Sequence, residues 1–383
     1  MKLSIIVGFK NRDLTRIKRF LNSLENQTFK DFELIFVDYG SDLNIAREVK
    51  QLVNLFGFAQ YIYNDTRGWP WNRSHALNSG LKFAQGEYIL FSDVDLIYSP
   101  KFIEQSCAVI NKDGQYFMQF YLLPENYSTW DSIEIEDSFN LTAKGTKGAI
   151  HFVNKEKLLS IGGFDEFYCF WGQEDIDLFG RLETLGLKES WLSIDAPVFH
   201  QWHPIVSNTK SYFFPEKWYD QMVIYDAANK NEVVRNKAGW GAIFTAQDRS
   251  IFHRTEEVIF KLPENITLNT KPKVIKDLVY SVNNLKENQY LTIMVSIKSS
   301  PKKHRKARGL GILKQLISKY YYKQVLVNED YVNDLERLSS LNRTHFIPEL
   351  DIYFFVWQLI KYYDTITDYR ISISNDKLEI SLC

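Results

Sequence analysis

Apolar positions in the first hundred residues switch between two periods. Leu3–Gly8 is a near-continuous apolar run, the pattern of a strand buried on both faces, and Leu14, Ile17, Phe20, Leu21 and Leu24 then recur at helical spacing behind Asp13 as N-cap. Glu33–Asp38 repeats the buried-strand pattern and ends in the turn-rich Asp38-Tyr39-Gly40-Ser41-Asp42, ahead of a helix-like Ile45–Phe56. Successive βα units of this kind imply a parallel sheet. Asn72–Phe83 reads as the helix before the strand that carries Asp93, Tyr116–Leu122 and Ala149–Val153 read as further strands, and Glu174–Leu185 reads as a helix with Leu178, Leu182 and Leu185 on one side. The aromatic stretch Tyr212–Tyr225 and Trp240 are assigned to the flank of this first domain.

A polar, proline-bearing segment at Lys261–Lys273 predicts a linker, so the chain divides into a catalytic-sized domain over 1–260 and a smaller α/β module over 274–383. In the module, strands are expected at Leu291–Ile297 and Gln324–Val327 and helices at Leu310–Tyr321 and Tyr353–Tyr363. The length of 383 residues agrees with this division, because domains run to about 100–200 residues. The fold class is α/β.

Composition narrows the function. A formal net charge of −1 provides no basic field for nonspecific nucleic-acid binding, so no nucleic-acid partner is expected. Cys107, Cys169 and Cys383 are far apart with no paired spacing, which speaks against a disulfide framework and a structural zinc site and for a reducing, cytoplasmic setting. The apolar start is too short for a signal sequence, and no run reaches the roughly 18 apolar residues of a membrane span. A soluble or peripheral protein is expected. Lys302-Lys303-His304-Arg305-Lys306, with Arg308, reads either as a solvated loop or as a dock for anionic lipid at the inner membrane face or for an acidic glycan.

Four motifs carry chemistry. Phe91-Ser92-Asp93-Val94-Asp95 places an Asp-x-Asp pair at the end of an apolar strand, where one carboxylate can hold a hard divalent cation and the other a ribose or a metal-bound water. Alone it is a weak signal; solvated loop acids are the commoner case. Gly162-Gly163-Phe164-Asp165 and Trp171-Gly172-Gln173-Glu174-Asp175 lead clustered acids into a helix, which fits either simple capping or a general base beside an aromatic sugar platform, with Trp171 equally suited to a core anchor. His200 and His203 sit at the end of an expected strand at a spacing that lets both reach one metal. An imidazole and carboxylate site suits Mn²⁺ or Mg²⁺, imidazole favouring manganese. Lys10, Arg12 and Arg73 follow elements that end on the same sheet edge and offer charge for phosphate oxygens, with solvated surface charge as the alternative.

Taken in order, Phe9-Lys10-Asn11-Arg12, Trp71-Asn72-Arg73-Ser74 with Leu77-Asn78-x-Gly80, the Asp93 motif, Gly163-Phe164 and Trp171-Gly172-x-Glu174-Asp175 resemble nucleotide-sugar glycosyltransferases of the GT-A fold. The opening is similar to family 2, and the middle is similar to β-1,4-galactosyltransferases and the catalytic domains of chondroitin-polymerising enzymes. The resemblance spans roughly residues 1–205. It implies a Rossmann-like open mixed sheet flanked by helices, a UDP-sugar donor, a divalent metal and an inverting transfer to a glycan or glycolipid hydroxyl; with no targeting segment read in the sequence, bacterial surface polysaccharide synthesis from the cytoplasmic side is the expected setting. By the same resemblance Arg12 and Arg73 contact the diphosphate, Asp38 lies near the uracil, Asp93 touches ribose or sugar, and Asp95 ligates the metal with His203 and, as a second candidate, His200. Trp171 stacks on the acceptor, Glu174 hydrogen-bonds it, and Asp175 takes its proton. Tyr39 stands where family 2 often has an acid, and Gln173 and Ile176 depart from the galactosyltransferases, so acceptor identity does not transfer. A protein or lipid acceptor, and a non-catalytic nucleotide-sugar binder, are the competing readings.

Overall fold

The buried apolar runs become the central strands of an open sheet. The computed structural model describes residues 2–130, 133–143, 146–169, 173–204, 218–229, 231–261, 271–296, 360, 366–373 and 377–383. The chain begins β1 (Leu3–Phe9), α1 (Leu14–Glu25), β2 (Phe32–Tyr39), α2 (Leu43–Val53), β3 (Ala59–Asn64), α3 (Arg73–Leu81) and β4 (Tyr88–Ser92). It continues through β5 (Leu96–Tyr98), α4 (Phe102–Val109), β6 (Gly114–Phe117), β7 (Tyr121–Leu122), β8 (Asn140–Leu141), β9 (Ile150–Asn154) and α5 (Lys155–Ser160). Then come α6 (Glu174–Thr184), β10 (Lys188–Trp191), β11 (Val198–His200), α7 (Trp218–Asn229), β12 (Glu256–Phe260), α8 (Lys271–Asn283), β13 (Gln289–Ser296), β14 (Tyr369–Ile373) and β15 (Lys377–Leu382).

The large sheet runs β10-β6-β9-β4-β1-β2-β3. β4, β1, β2 and β3 are mutually parallel, as the βα repeats imply, and β9 runs against both β4 and β6. The sheet is therefore mixed and flanked by helices, as expected for the GT-A class. Alternate residues of β1 feed opposite faces: Leu3, Ile5 and Val7 pack with Phe20, Leu21 and Leu24 of α1, while Ile6 packs with Leu77 and Leu81 of α3 and Leu178 and Leu182 of α6. Asp13 caps α1 by accepting from the backbone N–H of Thr15 and Arg16, a contact worth about 1 kcal/mol. Gly80 lets α3 lie close on the sheet, since a Cβ there would come 2.5 Å from Ile6 Cγ2 and 3.0 Å from Val37 Cγ2. The Asn78-x-Gly80 motif is thus a packing device: Asn78, fully buried, also accepts from Phe164 N–H at 2.9 Å and donates to its carbonyl at 2.8 Å, clamping the Gly163-Phe164 turn to α3.

A small second sheet, β5-β11-β7-β8, borders the carboxyl edge of β4. The chain separates into two compact units, one of residues 1–209 with 229–249 and one of residues 210–228 with 250–383. The second unit contains the sheet β12-β13-β15-β14, in which β12 and β13 are parallel and β15 runs against β13 and β14. The end of the expected linker, from Lys271, is already helix α8. The expected elements at Gln324–Val327 and Leu310–Tyr321, and the Lys302 cluster, lie outside the described residues, as does nearly all of Tyr353–Tyr363. Among the described residues no helix is long and apolar enough to cross a membrane.

Candidate active site

Because β1, β2 and β4 are parallel, their carboxyl ends share one edge; Lys10 and Asp93 follow the ends of β1 and β4, and Asp38 is the next-to-last residue of β2. β4 is buried along its whole length and stops at Ser92. After Asp93 and Asp95 the chain enters β5, where Leu96 pairs with His200 of β11. That antiparallel pairing, extended by a Gln201 N–H bond to the Asp95 carbonyl at 2.9 Å, brings His200 and His203 to either side of the Asp95 carboxylate.

The His203 Nε2 lies 3.1 Å from Asp95 Oδ2, and the His200 Nε2 lies 3.4 Å from Asp95 Oδ1. One ligand atom from each of the three lies within 4.8 Å of the others. Ligands about 2.0–2.2 Å from a common cation stand roughly 3 Å apart at a right-angled bite, so little closure is needed. The residues fit a metal on a second ground. Asp95 Oδ1 is buried and accepts no hydrogen bond, a costly state that a cation relieves. Burial works to raise the Asp95 carboxyl, yet the bond from His203 and the charges of His200, His203 and Arg12 outweigh it and hold it below the usual range. The same bond to Asp95 raises His203 against the opposing effect of burial, and His203 Nδ1 donates to the Pro204 carbonyl at 2.9 Å, which aims Nε2 at Asp95. His200 stacks on Phe120.

A second cluster centres on Arg73, the first residue of α3. Asn72 caps that helix by accepting from His75 N–H at 2.9 Å. The Arg73 Nη1 donates to Asp175 Oδ1 at 2.8 Å, and its Nη2 donates to the Gly148 carbonyl at 2.7 Å and approaches Asp93 Oδ1 at 3.4 Å. Burial works to lower the guanidinium, and Asp175, Asp93 and Glu174 outweigh it, holding it firmly charged. Glu174 and Asp175 open α6 after Gln173, which takes a left-handed φ of 73°. Burial first, then the Asp175 charge, pushes Glu174 up to about 7. Asp177, one turn into α6, ties the helix to the Gly162-Gly163 turn through Arg181, which bonds the Gly163 carbonyl, and through Arg235, which pairs with both Asp177 and Asp165. The acids are therefore mounted on a rigid element.

No motif or periodicity marks Gly148. It has φ +106°, and a Cβ there would come 2.2 Å from Asp175 Oδ2, so only glycine lets the β9 approach meet the acid. Lys10 is drawn inward: its Nζ donates to the Trp69 carbonyl at 2.9 Å, and burial pushes it down to about 8. Asp38 is fully buried and accepts from Ser41 N–H at 2.8 Å and the Tyr61 hydroxyl at 2.7 Å. Asn11, with φ 48°, bonds Ser41 and Asp42 and joins the loops after β1 and β2, leaving Arg12 exposed at their rim. Tyr39 is buried with its hydroxyl on His75 Nδ1 at 2.9 Å, a packing role that occupies the position where an acid is common. Trp171 and Gly172 lie outside the described residues.

The glycosyl transferase family 2 profile matches residues 4–164, and the profile described as the N-terminal domain of galactosyltransferase matches residues 132–203. The chain is 29% identical over 136 residues to β-1,4-galactosyltransferase 1 of Bos taurus, covering 34% of this chain and 29% of the relative. It is 31% identical over 143 residues to chondroitin sulfate synthase 3 of Homo sapiens, covering 33% of this chain and 16% of the relative. The chain thus spans less than a third of the length of either. Among solved structures it is similar to S. aureus TarS 1–349 in complex with UDP-GlcNAc, at a TM-score of 0.44 and 18% identity, covering 74% of this chain and 81% of that one. The resemblance read from the motifs is borne out by the two profiles and the two relatives: residues 4–164 match the family 2 glycosyl transferase profile, overlapped by a segment similar to galactosyltransferases.

Proposed function

We propose, from that family 2 region as premise, that the chain is a metal-dependent, inverting glycosyltransferase that moves a hexose or N-acetylhexosamine from a UDP-sugar to a glycan hydroxyl. The observation that carries this reading is the Asp95, His200 and His203 cluster with its unpartnered carboxylate oxygen, one residue removed from an acid pair organised by an arginine.

Asp95 and His203, with His200 beside them, would hold Mn²⁺ or Mg²⁺. When bound, the cation supplies positive charge for the departing UDP. Arg12 and Arg73 would add charge beside the diphosphate, Lys10 and Asp38 would shape the nucleotide side, and Asp93, 3.4 Å from Arg73, would touch the ribose or the sugar. Asp175 accepts the proton of the attacking hydroxyl, and its bond to Arg73 fixes the orientation of that carboxylate. Glu174, raised to about 7, is suited to hydrogen-bond the acceptor in either protonation state. Trp171 stacks on the acceptor sugar. A single base with a stabilised leaving group needs no covalent intermediate, so the anomeric configuration inverts. We assign catalysis to residues 1–260 and an accessory role to 274–383, and we place the enzyme in surface polysaccharide synthesis on the cytoplasmic side, with peripheral membrane contact as an option.

The test is UDP release from a panel of UDP-sugars with Mn²⁺, Mg²⁺ or EDTA, followed by NMR of the product linkage. Metal-dependent turnover of one donor with inversion supports the proposal. Retention of configuration, or turnover indifferent to EDTA, contradicts it.

A further inference from the structure

Gln201 lies between the two histidines in the sequence and is 1% exposed. A primary amide in the interior is unfavourable unless its polar atoms are bonded, and here they are. Its backbone N–H donates to the Asp95 carbonyl at 2.9 Å, its Nε2 donates to the Arg16 carbonyl at 3.1 Å, and its Oε1 accepts from Arg19 Nη1 at 3.4 Å. The ladder of β11 ends at His200, so past that point the Gln201 contacts are what hold the segment carrying His203 to α1. Arg19 in turn lies over the Trp130 ring at 3.5 Å, which extends the bracing to the loop after β7.

We infer that Gln201 is a positioning residue for the cation site: it locks the spacing of His200, His203 and Asp95 by tying all three to α1. The inference rests on the metal reading above. The backbone segment that carries both histidines cannot shift as a unit away from Asp95 and α1 without breaking a bond of Gln201. Groups that orient metal ligands in this way typically change metal affinity about 10–100-fold when removed.

The test is Mn²⁺ titration of the full chain, followed by electron paramagnetic resonance of the free ion, with UDP binding measured in EDTA alongside. Gln201→Leu is expected to raise the Mn²⁺ dissociation constant roughly 10–100-fold while UDP binding in EDTA stays at the wild-type value. Gln201→Glu, which keeps an oxygen for Arg19, is expected to recover part of the loss. Should Gln201→Leu not fold, Arg19→Leu carries the test, with a severalfold weakening expected because it strips the amide of one partner. Asp95→Asn separates the two levels of the argument. If Asp95→Asn binds Mn²⁺ as wild type does, or wild type binds none, the metal reading fails and this inference with it. If Asp95→Asn loses Mn²⁺ while the Gln201 and Arg19 variants keep full affinity, or lose UDP binding in EDTA as well, the positioning role alone is overturned.

Discussion

The cation cluster and the base cluster are separated by the single residue Val94, and their charge balance is opposite. Around Arg73, the acids Asp93 and Asp175 already have a countercharge, supplied by the chain and held in place by the Gly148 carbonyl. Around Asp95, the groups within ion-pairing distance among the described residues are His200 and His203, and one carboxylate oxygen accepts nothing. A permanent guanidinium fixes the orientation of the first cluster. The second balances its charge with groups that can release a proton, which leaves room for an exchangeable cation. Under the proposed function the difference separates two roles: acid–base chemistry where the countercharge is built in, leaving-group stabilisation where it is recruited.

The largest effect should come from the base itself. Asp175→Asn is expected to lower turnover about 10²–10⁴-fold with UDP binding and Mn²⁺ affinity retained, measured by UDP release and calorimetry. Loss of Mn²⁺ affinity in that variant would break the division between the clusters. Next is Gly148→Ala, which strains a φ of +106° and pushes Asp175 from its place. It is expected to cost turnover about 10²-fold with little change in metal affinity, since misplacement by an ångström carries that order of loss.

On the other side, His203→Ala should weaken Mn²⁺ binding more than His200→Ala, because His203 makes the shorter contact to Asp95 and is the one whose Nδ1 is anchored. Metal titration of both variants checks the order. The smallest effect concerns Glu174. Its carboxyl is raised from 4.5 to about 7 in the folded chain, so the folded state binds more protons than the unfolded state across that window. Stability from this group is complete below about pH 4.5 and is lost as pH rises through about 7. Glu174→Gln should flatten that part of the stability profile, read by denaturant unfolding at several pH values.

Both clusters were partly legible in the sequence. Asp93, Asp95, Arg73, Asp175 and the two histidines lie in short motifs whose neighbours are strongly patterned, and the structure brings Asp95 to the histidines and Arg73 to Asp175 and Asp93. The motifs place Arg73 beside phosphate; its acid partners come from the end of β4 and the start of α6, which no local pattern links to α3. Gly148 and Gln201 were not legible because their roles arise from one long-range approach each, a Cβ that would strike Asp175 and an amide that reaches α1. The edge strand β3, with its mixed burial, and the terminal hairpin β14–β15 were also missed. Their apolar content is split by polar residues, Gln60 in β3, Arg370 and Ser372 in β14, and Glu379 and Ser381 in β15, so no continuous apolar run marks them.

The most direct single measurement is anomalous scattering from crystals of the full chain grown with Mn²⁺ and UDP. One peak about 2.0–2.2 Å from Asp95 and His203, with Arg73 still on Asp175, is the expected result. A peak seated between Asp93 and Asp175, or none beside Asp95 when UDP is bound, would contradict the division of roles between the two clusters.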